Sequence, residues 1–220
     1  MPAATASTRP VTDFGRVVRF YDLLAGLVFG GALRRAQRAA LVAALPAGPR
    51  VLVLGGGTGW VLREIWQRQP SAQVLYLEAS AAMLACTRAR LQRHPAPPGA
   101  TVELRQGTEA DLRPGEQFQV VVTFFVLDCF TKAALPGALA RLQAARQPGA
   151  PWLVADFKPA PGGWRHWLTQ AMYWFFGVTV GLRAQHMPPW PTELAALGLR
   201  VRWERAFFGR AVVAQVWKDA

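Results

Sequence analysis

Cysteine, lysine, histidine and acid are all scarce in this chain, and each shortage removes a class of explanation. The two cysteines, Cys86 and Cys129, have no ligand-like neighbour at metal spacing. Buried reduced thiols are expected, with no disulfide framework and no metal site. Histidine occurs three times. His94 lies in a proline-rich stretch, and His166 and His186 flank an aromatic segment, where a lone imidazole is ordinarily packed. Lysine is confined to Lys132, Lys158 and Lys218, so the net charge of +12 is carried by arginine. Those arginines are scattered in sets such as Arg34, Arg35 and Arg38, Arg88, Arg90 and Arg93, and Arg200, Arg202 and Arg205. No run of five or six like charges occurs, which suits the solvated faces of separate elements and argues against a nucleic-acid groove. Residues 1–10 lack the apolar core of a secretory signal, so the simplest location is cytoplasmic.

What is present centres on Val51-Leu52-Val53-Leu54-Gly55-Gly56-Gly57-Thr58-Gly59-Trp60. Four apolar residues read as a short buried parallel strand. Gly55, Gly57 and Gly59, at alternate positions, then allow a sharp turn that a ligand can approach closely. Val61 to Trp66 open a helix whose free N–H groups point back at the turn. A second buried strand, Val74-Leu75-Tyr76-Leu77-Glu78, ends in a carboxylate nineteen residues after Gly59. A carboxylate there accepts hydrogen bonds from both hydroxyls of a ribose, so the pair predicts a nucleotide-type cofactor site. Trp60 stands where a dinucleotide fingerprint wants its last glycine, which counts against a nicotinamide-dependent oxidoreductase.

The remaining pattern alternates strictly. Strands are expected at 50–54, 73–78, 101–105, 119–125 and 151–157, with helices at 59–68, 80–93 (Ser80 as N-cap) and 131–146. Segments 198–206 and 210–217 read as an antiparallel hairpin. The expected fold is α/β: a doubly wound, Rossmann-like, seven-stranded sheet of five parallel strands plus a C-terminal antiparallel hairpin. Ahead of it, apolar positions Val17, Phe20, Leu23, Leu24 and Leu27 follow helix spacing, and Gly30-Gly31 breaks this N-terminal cap before a second helix at 32–44. One domain is expected: tail and helical cap at 1–46, cofactor-binding core at 48–158, an apolar insert at 159–191, and a helix and hairpin at 192–220.

These residues resemble the class I S-adenosylmethionine-dependent methyltransferases, most firmly over 51–157. The run Glu78-Ala79-Ser80-Ala81-Ala82-Met83-Leu84 is similar to the small-molecule branch that includes the ubiquinone/menaquinone-type enzymes. The resemblance implies S-adenosyl-L-methionine as cofactor, held by Leu54, Gly55, Gly56, Gly57, Thr58, Gly59, Glu78, Ala79, Met83, Thr108, Glu109, Thr123 and Phe124. In that family the turn after the third strand often reads Gly-Asp, and the acid bonds the adenine amino group. Thr108 replaces the acid here, leaving Glu109, Asp111 or a backbone group for that contact. The Tyr21-Asp22 pair resembles the Tyr-Asp of N-terminal helices that fold over the pocket in the family, with a half-buried aromatic at a helix interface as the other reading of Tyr21. Asp128 falls where the family often places acceptor-facing residues. It either takes a proton or orients an amine, or else it is a helix N-terminal carboxylate near Thr131. Asp156 carries the same two readings.

The implied activity is methyl transfer to a small, hydrophobic acceptor by a monomer or homodimer. A non-catalytic S-adenosylmethionine-binding protein and a membrane-associated quinone or lipid methyltransferase stand beside it. Nucleic acid is not expected as the acceptor: base-directed amino-methyltransferases carry Asn/Asp-Pro-Pro-aromatic after the fourth strand, and this chain reads Thr123-Phe124-Phe125-Val126. Segment 164–182 has no formal charge after Arg165 and falls short of the roughly 20 residues a membrane span requires. Three readings stand for it: a lid over the pocket, a dimer surface, or a helix at the membrane periphery.

Overall fold

A computed structural model describes residues 31–158 and 188–220 of the chain. Tyr21, the first part of the helical cap and the 164–182 segment lie outside the described residues. The strands are β1 (Arg50–Leu54), β2 (Gln73–Glu78), β3 (Thr101–Gln106), β4 (Val120–Phe124), β5 (Trp152–Phe157), β6 (Leu199–Phe207) and β7 (Val212–Asp219). They form one seven-stranded sheet in the order β3-β2-β1-β4-β5-β7-β6. The first five are parallel, and β7 and β6 run antiparallel at the end. Strand order reverses between β1 and β4, the place where doubly wound sheets open a crevice beyond the carboxyl ends of their strands.

The helices are α1 (Ala32–Ala44), α2 (Trp60–Arg68), α3 (Ala81–Arg93), α4 (Leu135–Ala145) and α5 (Trp190–Ala196). Both sheet faces are covered, as uninterrupted apolar strands require. On one face Val51, Val53, Val122 and Ala155 pack with Ala36, Ala40 and Ile65 of α1 and α2. On the other, Leu52, Leu54, Val121 and Val154 pack with Leu139, Leu142, Trp190 and Leu194 of α4 and α5. The α1–α2 pair is further tied by Glu64, which accepts from Arg38 and from Arg68, each at 2.9 Å, and by Arg34 and Arg38 stacked over the Trp60 ring.

The structure departs from the sequence reading at three local points, the first two for a visible physical reason. The helix expected at 131–146 begins only at Leu135: Thr131 Oγ1 accepts the Ala134 N–H and Pro136 occupies the first turn, where its missing N–H costs nothing. Between β4 and α4 the chain makes a separate 3-10 turn, Leu127–Cys129. Asp128 therefore lies in that turn, well ahead of the helix. Second, Trp190-Pro191 starts α5, and the Trp190 indole N–H donates to the Phe157 carbonyl at 3.1 Å. Third, Cys86 is half-buried and Cys129 exposed, both as free thiols, where burial was expected for each.

Candidate active site

The crevice at the reversal point is built first by the turn after β1. Gly55, Gly57 and Gly59 all adopt positive φ, at 65°, 64° and 79°. The reasons for glycine differ along the turn. A Cβ on Gly55 would lie 2.7 Å from Val126, one on Gly56 2.3 Å from the Tyr76 ring, and one on Gly59 2.7 Å from Thr87. A Cβ on Gly57 would meet nothing within 4 Å. Gly55, Gly56 and Gly59 are thus crowded by the protein itself, while a side chain on Gly57 would meet open space. Gly59 caps α2 without any side-chain hydrogen bond, so the first-turn N–H groups of the helix look into the same space.

Glu78 closes this side. It ends β2 at 8% exposure; its Oε2 accepts the Gly57 N–H and its Oε1 the Ser80 N–H, both at 2.9 Å. Burial holds its pKa above the usual carboxylate range, opposed by those two backbone donors. Each oxygen keeps a lone pair, so the carboxylate retains acceptor capacity for a diol. Ser80 caps α3 as expected, its Oγ accepting the Met83 N–H at 3.3 Å. Ala79 is exposed and Met83 half-buried at the same rim.

The turn after β3 is a capping box. Asp111 Oδ2 accepts the Thr108 N–H at 2.8 Å, and Thr108 Oγ1 accepts the Ala110 N–H at 3.2 Å. Asp111 is thereby committed to the turn. Glu109, 8% exposed, lies 3.4 Å from the Arg141 guanidinium on α4.

Beyond β4 and β5 the chemistry changes. Phe125 has φ +55°, a left-handed conformation uncommon for an aromatic residue. Its ring meets Phe157 with centroids 5.4 Å apart. Phe157 and Phe207 both pair with Val212 across the sheet, so they share one face and form an aromatic shelf at its carboxyl edge. On the opposite face lie the two acids. Asp156, fully buried, accepts the Phe157 N–H at 2.8 Å and the Leu127 N–H at 3.1 Å. Asp128, 5% exposed, neighbours Asp156 and accepts from Cys129 Sγ at 3.5 Å. Burial pushes Asp128 up to about 6, and burial together with the neighbouring Asp128 charge pushes Asp156 upward as well. Two buried carboxyls in contact favour a shared proton over two charges.

Two sets of the expected site residues come together. Gly55 to Gly59, Glu78, Ala79 and Met83 converge around the crevice, while Asp128 and Asp156 meet on the β4–β5 side. Leu54 is buried as the last residue of β1. Thr123 points away: it is fully buried and its hydroxyl accepts the Trp152 indole N–H at 2.9 Å. Phe124 is 6% exposed within the α1-side core. Sequence reasoning missed Tyr76, Thr87 and Arg90, which grip the turn from behind. The available signal was Tyr76 itself, a polar tip in an otherwise aliphatic buried strand. Among the described residues, no three His, Cys, Asp or Glu groups lie where they would hold a metal ion, and no helix is long and apolar enough to cross a membrane.

Residues 51–149 match the family model described as a methyltransferase domain. Over 219 aligned residues the chain is 29% identical to the demethylmenaquinone methyltransferase of Thermus thermophilus, covering 91% of this chain and 97% of that protein. Its fold is similar to that of a SAM-dependent methyltransferase from Aquifex aeolicus (TM-score 0.63, 14% identity, 93% of this chain and 97% of that one). It is similar also to the 1,6-didemethyltoxoflavin-N1-methyltransferase of Burkholderia thailandensis, solved with S-adenosylhomocysteine (TM-score 0.61, 15% identity, 99% and 94%). The mitomycin 7-O-methyltransferase is matched at TM-score 0.64 and 19% identity, and the chain spans only 61% of its length.

Proposed function

We propose that the chain, whose residues 51–149 match the model of a methyltransferase domain, is a class I S-adenosylmethionine-dependent methyltransferase that methylates a small, hydrophobic acceptor seated beyond β4 and β5. One observation carries this reading. The open Gly57 face and the Glu78 carboxylate lie on the same sheet edge as the Phe125–Phe157–Phe207 shelf and the Asp128–Asp156 pair. S-adenosylmethionine, when bound, supplies an electrophilic methyl group on a sulfonium. The chain's residues fit it: Gly57 leaves room for close backbone approach, and Glu78 offers acceptors for ribose hydroxyls. The rest of the protein's task is to orient the acceptor and keep water out.

In this reading the shelf supplies the apolar wall common to small-ligand pockets. The acid pair, holding one proton between two carboxyls, keeps one site basic enough to take the acceptor's proton. The quinone named for the Thermus relative makes apolar ring acceptors the first to try. A membrane-peripheral variant of the same activity is favoured by the tryptophan-rich 164–182 sequence. Co-sedimentation with anionic vesicles at low salt, weakened when Trp167, Trp174 and Phe175 become Ser, would support it; no sedimentation would exclude it.

Titration calorimetry with S-adenosylhomocysteine is the direct test, followed by turnover across a panel of quinols, phenols and amines. Wild type should bind. Glu78→Ala should weaken binding by about 1.5–3 kcal/mol for each charge-assisted hydrogen bond lost. Unchanged affinity in a folded Glu78→Ala protein would overturn the cofactor assignment. Binding without turnover on any acceptor would favour the non-catalytic alternative.

A further inference from the structure

The glycine turn is gripped from behind by groups that neither the glycine spacing nor Glu78 accounts for. The Gly57 carbonyl accepts from Tyr76 Oη at 2.9 Å and from Thr87 Oγ1 at 2.9 Å. The next carbonyl, that of Thr58, accepts from Arg90 Nε at 2.9 Å. On the other side the Gly57 N–H donates to Glu78 Oε2. Three consecutive peptide planes, 56–57, 57–58 and 58–59, are thereby each held by a side chain from β2 or α3. Gly57 has no Cβ and would otherwise sample positive and negative φ alike.

Both hydroxyls are deep. Tyr76 and Thr87 are fully buried, and burial pushes the Tyr76 pKa upward, so the phenol stays a donor. Thr87 has one proton, and three acceptors lie within reach: Gly57 O, Met83 O at 3.2 Å and Tyr76 Oη at 3.4 Å. The two hydroxyls and the carbonyl form one network, in which loss of one member leaves a buried acceptor under-satisfied. The same two side chains would collide with a Cβ on Gly56 or Gly59, so they shape the turn sterically as well.

We propose that Tyr76 and Thr87 are positioning residues for the cofactor: by fixing the 57–58 peptide they hold Gly57 left-handed and keep Glu78 aligned with the ribose site. The proposal rests on the reading of this turn as the S-adenosylmethionine site. It predicts that cofactor affinity depends on hydroxyls that never touch the ligand.

Tyr76→Phe, Thr87→Ala and Thr87→Ser test it, each titrated with S-adenosylhomocysteine and assayed for cofactor KM and kcat. Tyr76→Phe and Thr87→Ala should each weaken binding about tenfold, the weight of one buried hydrogen bond. Thr87→Ser, which restores the hydroxyl, should stay within about twofold of wild type by the same reasoning. The loss should appear in KM with kcat at saturation preserved, since the acceptor side is untouched. Hydrogen exchange at the Gly57 and Thr58 amides should quicken in the free Tyr76→Phe and Thr87→Ala proteins. Lowered melting temperature with wild-type affinity in Tyr76→Phe and Thr87→Ala would overturn the proposal. So would a Thr87→Ser protein as weak as Thr87→Ala, a comparison that holds even if Tyr76→Phe fails to fold. Absence of binding in wild type itself would instead overturn the cofactor assignment on which it stands.

Discussion

The two halves of the sheet edge are built on opposite terms. On the β1–β2 side the groups that hold the turn meet complementary partners: the Gly57 and Thr58 carbonyls meet hydroxyls or a guanidinium, and the Glu78 carboxylate meets backbone N–H groups. On the β4–β5 side two carboxyls are buried against each other and an aromatic residue holds a left-handed backbone. The first arrangement costs little and holds a fixed shape. The second stores unfavourable free energy that the surrounding core must offset. The contrast suits a division between holding a cofactor and working on an acceptor, since strain and perturbed acids gather where groups must act.

The largest effect should come from breaking the β1–β2 side at two adjacent glycines. Gly57→Ala places a methyl group in open space and costs the fold only the left-handed strain of an ordinary residue, about 1 kcal/mol. It should nonetheless abolish S-adenosylhomocysteine binding, because the methyl group occupies the face the cofactor approaches. Gly56→Ala does the reverse: its Cβ would strike the fully buried Tyr76 ring at 2.3 Å. Overpacking of that kind costs about 1–3 kcal/mol or more, so this variant should lose stability first. Thermal melts paired with calorimetry separate the two. Equal stability and equal affinity in both variants would dissolve the distinction between crowded and open glycines.

The next effect sharpens the β4–β5 side through pH. Asp128 is raised in the folded state to about 6, against an ordinary aspartate near 4 when unfolded. Between those values the folded protein binds more protons than the unfolded one. Stability therefore falls as pH rises through this window, and the penalty is fully present above the folded pKa. Asp156, raised in the same direction, adds to the slope. Asp128→Asn removes one of the charges and leaves an amide able to donate to Asp156. The variant should melt several degrees above wild type at pH 8, since about 1 kcal/mol moves a chain of this size by roughly 2–4 °C. The gain should vanish near pH 4. Turnover should be lost while S-adenosylhomocysteine binding persists. A gain that is the same at pH 4 and pH 8 would mean the two carboxyls do not share a proton.

The same contrast explains what the sequence made legible. Apolar strands, alternate glycines, Ser80 before a helical run and Glu78 at a strand end are local signals, and each landed where it was expected. The five parallel strands and the terminal antiparallel hairpin followed from strict alternation and its break at the end of the chain. What was hidden depends on packing across the sheet. Nothing in Thr123-Phe124-Phe125 says that Thr123 turns inward to Trp152 or that Phe125 leaves β4 with positive φ. The Tyr76 and Thr87 hydroxyls reach Gly57 only after β2 and α3 have packed. Asp128 and Asp156, twenty-eight residues apart in the chain, meet because β4 and β5 are neighbours, and the start of α4 is set by Pro136 more than by apolar period.

The smallest effect bears on the strain at Phe125. Its φ of +55° follows directly on β4, where the Phe125 N–H donates to Ala155 O at 2.7 Å. The conformation lets the ring turn onto Phe157 and leave the strand direction. Asparagine occupies the left-handed region more readily than phenylalanine, so Phe125→Asn should relieve backbone strain of about 1–3 kcal/mol. It also forfeits a half-buried ring and an aromatic pair worth about 0.5–1.5 kcal/mol beyond its burial. The two terms oppose each other, and net stability should move by no more than about 1 kcal/mol. If the strained ring is part of the acceptor wall, cofactor affinity should be untouched while KM for an apolar acceptor rises. Phe125→Leu, which keeps apolar bulk but not the ring edge, should fall between. A Phe125→Asn protein with wild-type acceptor KM would show that the left-handed residue serves only the chain reversal after β4, and would leave Phe157 and Phe207 as the shelf.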